Sequence, residues 1–216
     1  PTVQHLVVRE PVGVCLAITP WNFPLSQAVR KVAAALASGC TMILKGPTEA
    51  PAGCLVIARF LQEAGLPEGC LNLVWGNSSF ISETLIAHPV VRKITFTGSV
   101  EVGKHLAALA GQHMKRATME LGGHAPVLVF DDADAGAAAR ALAGNKLRNA
   151  GQVCISPTRF YVQAGIHERF LSELLTAFEA VKVGDGLAEG TQMGPLCHAG
   201  RVTAMEKLVT DARENG

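Results

Sequence analysis

The chain has 216 residues, of which 49% are apolar and 17% charged, with a formal net charge of +1 at pH 7. That balance belongs to a globular protein with a sizeable core and argues against a disordered or fibrous chain. No basic stripe with interleaved aromatics runs along it, which argues against nucleic acid as a partner, and its longest apolar runs are too short to cross a membrane.

The first residues carry no basic segment followed by an apolar core and a cleavage site, so the expected location is the cytoplasm. From there the chain alternates. "VGVCLAI" (12–18) is a nearly unbroken apolar run, as in a strand buried on both faces of a parallel sheet. "LSQAVRKVAAALASG" (25–39) follows with helical spacing and a closing glycine. "TMILK" (41–45) predicts a second strand, and "PAGCLVIARFLQEAG" (51–65) a helix opened by Pro and closed by Gly. A strand at 69–75, a short helix near 79–87, a strand at 93–96 and a helix from about 99 to 111 keep the rhythm. After "MELGG" (119–123) the pattern restarts with a strand at 125–130. A helix at 132–151 has an acidic start and a basic end, which suits the helix dipole. A strand at 159–163, an amphipathic helix at 167–183 and a last surface helix close the chain.

This order predicts an α/β fold: a mostly parallel, doubly wound sheet followed by part of a second α/β domain. The glycine pair 122–123 is the expected hinge, dividing the chain into residues 1–122 and 123–216. The second part is small for a domain, so the chain reads as a partial segment of a longer protein.

The six cysteines are irregularly spaced, without C-x-x-C, and the seven histidines form no H-E-x-x-H. Reduced thiols and no bound metal are expected. Cys15, Cys40 and Cys54 sit inside apolar periodic segments and read as small core residues. Around Cys154, in "NAGQVCISP", the residues Gly151, Gln152 and Ser156 offer no apolar wall. Two readings stand for it: a nucleophile, which needs partial exposure and polar surroundings, or one more buried thiol.

Glu120 in "TMELGG" ends an apolar stretch just before two glycines. It is either a solvated surface charge or a carboxylate at a strand terminus that can act as a general base. Asn22 in "PWNFP" is either an ordinary turn residue or a donor to a developing oxyanion. "TGSVEVG" places Gly98, Ser99 and Gly103 between a strand and a helix, where backbone N–H groups can hold a pyrophosphate. Its spacing is not G-x-G-x-x-G. Lys45, ending "TMILK", is either a cofactor ligand or a solvated lysine.

Taken together and in this order, "PWNFP", "MELGG" and "GQVC" followed by "PTRF" resemble the aldehyde dehydrogenase superfamily, over essentially the whole chain. "KLRNAGQVCISPTRFYV" is similar to its succinate-semialdehyde dehydrogenase-like branch. The resemblance implies a Rossmann-like NAD(P)-binding domain over 1–122, with residues 1–10 a remnant of an oligomerisation hairpin, and a partial catalytic domain over 123–216. It implies oxidation of an aldehyde to a carboxylic acid through a cysteine thiohemiacetal and thioester. Cys154 would be the nucleophile. The Asn22 side chain and the Cys154 backbone N–H would form the oxyanion hole, and Glu120 would activate the hydrolytic water.

NAD or NADP would take the hydride. Lys45 would bind the adenosine ribose, and Gly98, Ser99, Val102 and Gly103 would face the pyrophosphate. Thr19, Pro20, Trp21 and Gly76 would line the cofactor cleft, with Thr48, Phe96 and Leu121 beside them. Many family members carry Glu three residues after the lysine; here that position is Thr48, and Glu49 follows. Losing that carboxylate removes repulsion toward a 2′-phosphate, so the expectation is that NADP is accepted at least as well as NAD. The implied partners are a small aldehyde substrate and further copies of the full-length protein in a homo-oligomer, with no nucleic acid and no membrane. The alternatives are a CoA-acylating enzyme, which has no need of Glu120 as a base, and an inactive fragment with the same fold.

Overall fold

A computed structural model describes residues 3–215. The chain divides into two compact units at Leu121/Gly122. In the first, strands and helices alternate in the order β1 (Val14–Ile18), α1 (Pro24–Ala37), β2 (Thr41–Lys45), α2 (Ala52–Glu63), β3 (Leu71–Val74), α3 (Ser78–Ala87), β4 (Val91–Gly98), α4 (Val100–Gln112) and β5 (Arg116–Leu121). All five strands are parallel, in the order β3-β2-β1-β4-β5.

The apolar runs explain this order. Side chains alternate across a strand, and β1 at the centre buries both sets. Its Cys15 and Ala17 join Ala28 and Val32 of α1 and Cys54 and Ile57 of α2, whereas Leu16 joins Ile86 of α3 and Leu106 and Ala110 of α4. Helices therefore cover both faces, as a doubly wound sheet requires.

Local chemistry sets the helix ends. Pro24 opens α1, where its missing N–H costs nothing. Asn77 caps α3 by accepting from Phe80 N–H at 3.0 Å, and Ser99 caps α4 by accepting from Val102 N–H at 3.4 Å. The first strand starts two residues later than the apolar run suggests, because Gly13 sits at φ +108°, outside strand geometry. Residues 3–10, where a hairpin remnant is expected, belong to no strand; residues 1 and 2 lie outside the described part.

The second unit holds β6 (Ala125–Val129), α5 (Ala135–Leu147), β7 (Pro157–Val162), α6 (His167–Glu179) and α7 (Ala199–Asn215). The strands β6 and β7 pair in parallel, which requires a crossover, and α5 supplies it. Val129, Ala135, Ala139, Phe170 and Leu174 form its core, with the Phe160 and Phe170 rings 6.3 Å apart.

Two helices are shorter than expected. The helix at 132–151 is α5 only to Leu147, followed by a 3-10 turn over Arg148–Gly151 in which Asn149 and Ala150 have φ of 50° and 55°. Left-handed residues cannot continue a right-handed helix. The helix at 167–183 stops at Glu179, and Val183 instead bridges to Met193.

Candidate active site

Because every strand of the first unit is parallel, the segments after them leave the sheet at one edge. Thr19, Pro20, Trp21 and Asn22 follow β1; Lys45 ends β2 and Thr48 follows it; Gly98 and Ser99 follow β4; Glu120 and Leu121 end β5. The chain reverses its walk across the sheet between β1 and β4, the place where open α/β sheets bind ligands.

Glu120 is held from three sides. Thr97, its register partner on β4, donates its hydroxyl to Oε2 at 2.9 Å. Arg30 on α1 reaches Oε1 at 3.3 Å, and Lys31 Nζ lies 4.0 Å from Oε2 while donating to Thr95 Oγ1 at 3.0 Å. The Glu120 side chain stays 41% exposed, so it is fixed in place and still open to water. Burial pushes the Lys31 ammonium below its ordinary value; Glu120 opposes that, and the nearby Arg30 and Lys93 add to it. Glu120, Arg30 and Lys31 share the wall of a cavity of about 420 Å³ with Lys93 and Arg116, so its charge is mainly positive.

A second cavity, of about 310 Å³, lies at the switch point, between Ile18, Lys45, Phe96 and the first turns of α3 and α4. Lys45 is 7% exposed, which rules out a solvated lysine, and its carbonyl accepts from Thr19 N–H at 3.2 Å. Val102 also lines this cavity; Thr48 and Gly76 are exposed. A Cβ on Gly98 would strike the Phe96 ring, and one on Gly103 would strike Leu121. A larger residue at either position would have to displace the neighbouring side chain. Trp21 is half-buried, and Thr19 is buried. Asn22 Oδ1 accepts from Phe23 N–H at 3.1 Å, a turn contact.

Sequence reasoning missed several of these groups. Arg30, Lys31 and Thr97 surround Glu120, and Ser78, Ser79 and His105 line the switch-point cavity. Lys31 carried a readable signal: it falls on the buried stripe Gln27–Lys31–Ala35 of α1, where a cation needs a partner.

Cys154 belongs to the second unit. It is exposed, whereas Cys15, Cys40 and Cys54 are sealed at 3%, 5% and 0% exposure. It sits in a tight turn closed by Ser156 N–H to Val153 C=O at 3.1 Å, between the 3-10 turn and β7. The reading of Cys154 as one more buried thiol is excluded.

Residues 1–216 match the profile of the aldehyde dehydrogenase family. The chain is 42% identical over 211 residues to the NADP(+) succinate-semialdehyde dehydrogenase GabD of Escherichia coli (strain K12), covering 98% of this chain and 44% of that protein. It is 42% identical over 216 residues to a glutarate-semialdehyde dehydrogenase of Pseudomonas aeruginosa, covering all of this chain and 45% of that one. The crystal structure of a succinate-semialdehyde dehydrogenase from Burkholderia pseudomallei superposes with a TM-score of 0.92 at 42% identity, covering 97% of this chain and 43% of that one. The chain thus spans less than half the length of the curated relatives it matches. With its fold, its motifs and its whole length in agreement, this chain belongs to the aldehyde dehydrogenase family.

Proposed function

We propose that the full-length protein oxidises an aldehyde to a carboxylic acid with NAD or NADP as the hydride acceptor. The observation that carries this reading is Cys154, exposed in its turn within the "GQVC" segment, whereas Cys15, Cys40 and Cys54 are sealed; Cys197 is exposed too but lies outside that segment. The Cys154 thiolate adds to the aldehyde carbon, and the Asn22 side-chain amide and the Cys154 N–H donate to the oxyanion of the thiohemiacetal. When bound, the nicotinamide supplies the hydride sink. Glu120, held by Thr97 and open to water, takes a proton from the water that cleaves the resulting thioester. A base in that place favours hydrolysis over transfer to CoA.

The first unit is the dinucleotide domain in this reading. The switch-point cavity, with Lys45 buried in its wall, suits the ribose side of a dinucleotide, and the N-terminus of α4 suits a pyrophosphate. Thr48, exposed on the bend after Lys45, leaves room for a 2′-phosphate. The named substrates of the two relatives, succinate and glutarate semialdehyde, each end in a carboxylate. The Arg30 guanidinium, 70% exposed beside Glu120, is a cation for such an anionic end.

The test is a panel of neutral and carboxylate-bearing aldehydes with both cofactors on the full-length protein. We expect kcat/KM with NADP to equal or exceed that with NAD. Arg30→Ala should raise KM for semialdehydes more than for neutral aldehydes. A strong NAD preference would refute the cofactor assignment, and equal KM changes would refute the role of Arg30.

A further inference from the structure

Three consecutive residues before Cys154 run left-handed: Asn149 (φ 50°), Ala150 (φ 55°) and Gly151 (φ 75°). Glycine adopts this conformation freely, whereas other L-residues are strained in it, Asn less than Ala. Such a run persists only where its surroundings hold it.

The side-chain amide of Gln152 meets that need from both ends. Its Nε2 donates to the Asn149 carbonyl at 2.9 Å, and its Oε1 accepts the Cys197 N–H at 3.0 Å. The main chain closes the ring: Gln152 N–H donates to the same Asn149 carbonyl at 3.1 Å, and Asn149 Nδ2 donates to the Gln152 carbonyl at 3.3 Å. One amide therefore pins the left-handed run and fastens it to a segment 45 residues later in the chain, from Gln152 to Cys197. Both contacts lie within the second unit. Glu at this position retains only the acceptor, and Met retains neither. Two residues beyond the clamp stands the thiol, on the turn that Ser156 N–H closes to the Val153 carbonyl, and Val153 N–H donates back to the Gly151 carbonyl at 2.9 Å.

We infer that Gln152 is a positioning residue for Cys154, its amide fixing the left-handed turn and thereby the place from which the thiol attacks. This rests on the reading of Cys154 as the nucleophile. Attack on a carbonyl requires the sulfur aligned with oxyanion donors and cofactor, and small misplacements are expensive. Alkylation by a small, freely diffusing reagent needs only an exposed thiol.

The experiment compares Gln152→Met and Gln152→Glu with the wild type in the full-length protein. It reads single-turnover acylation, KM for the cofactor, alkylation of Cys154 by iodoacetamide, and Tm. The expected result for Gln152→Met is an acylation rate lower on the order of 10–100-fold, with cofactor KM and alkylation rate unchanged. Gln152→Glu should fall between the two. Adding Ala150→Gly, which relaxes the strained backbone, should recover part of the Gln152→Met loss. Wild-type acylation in Gln152→Met, or a fall in alkylation and Tm that matches the fall in acylation, would overturn the assignment. Cys154→Ala separates this from the larger reading: turnover without Cys154 removes the nucleophile itself, whereas a dead Cys154→Ala beside a fully active Gln152→Met removes only the role of Gln152.

Discussion

At the scale of single residues, the chain separates its cysteines by environment. Burial, reinforced by the neighbouring Cys40, pushes the Cys15 thiol from its ordinary 9.0 up to about 11, which suits a core residue and not a nucleophile. The sign of its effect on stability follows. The folded value lies above the unfolded one, so the contribution is fully present below pH 9.0 and is lost as pH rises through about 11. Under reducing conditions, the stability difference between wild type and Cys15→Ala should shrink over that interval by on the order of 1–3 kcal/mol. Denaturant titrations from pH 8 to pH 11 check this, and a difference that stays constant would contradict it. Cys154 stood apart in the sequence because Gly151, Gln152 and Ser156 surround it with small and polar residues, although Val153 and Ile155 flank it directly. The partners of Glu120 were not, because Arg30 and Thr97 meet it only when α1, β4 and β5 assemble.

At the scale of elements, apolar periodicity located the strands and helices of both units except β5, whose residues Arg116–Leu121 bury no side chain fully and so carry no apolar alternation. It also failed where backbone conformation, not burial, ends an element. In the run 132–151, Asn149 and Gly151 tolerate a left-handed turn, but Ala150 between them does not favour it, so the sequence did not fix where the helix stops. The turn is set by tertiary contacts such as the one between Gln152 and Cys197. Packing of α4 on β5 offers a direct test. Gly103 lets the helix lie against Leu121, so Gly103→Ala should destabilise the protein by about 1–3 kcal/mol through overpacking. Thermal unfolding measures it. Leu121→Ala should restore part of the loss in the double variant, and simple additivity of the two would show that the contact is not the cause.

At the scale of the whole molecule, the α/β class and the parallel sheet could be read from alternation alone. The strand order β3-β2-β1-β4-β5 could not, because pairing partners are not encoded in local periodicity. That order matters for function: it puts the ends of β1 and β4 side by side and opens the switch-point cavity beside Lys45. The proposed chemistry assigns roles to Asn22, Lys45 and Glu120 of the first unit and to Cys154 of the second. The central claim of the proposed mechanism is a covalent acyl group on Cys154 that Glu120 helps water to remove. The most direct measurement is the intact and peptide mass of full-length Glu120→Gln after mixing with a semialdehyde and NADP. The account predicts that this variant accumulates a thioester on the peptide carrying Cys154, one per chain, and releases acid far more slowly than the wild type. An unmodified Cys154 while acid still forms at the wild-type rate would contradict it.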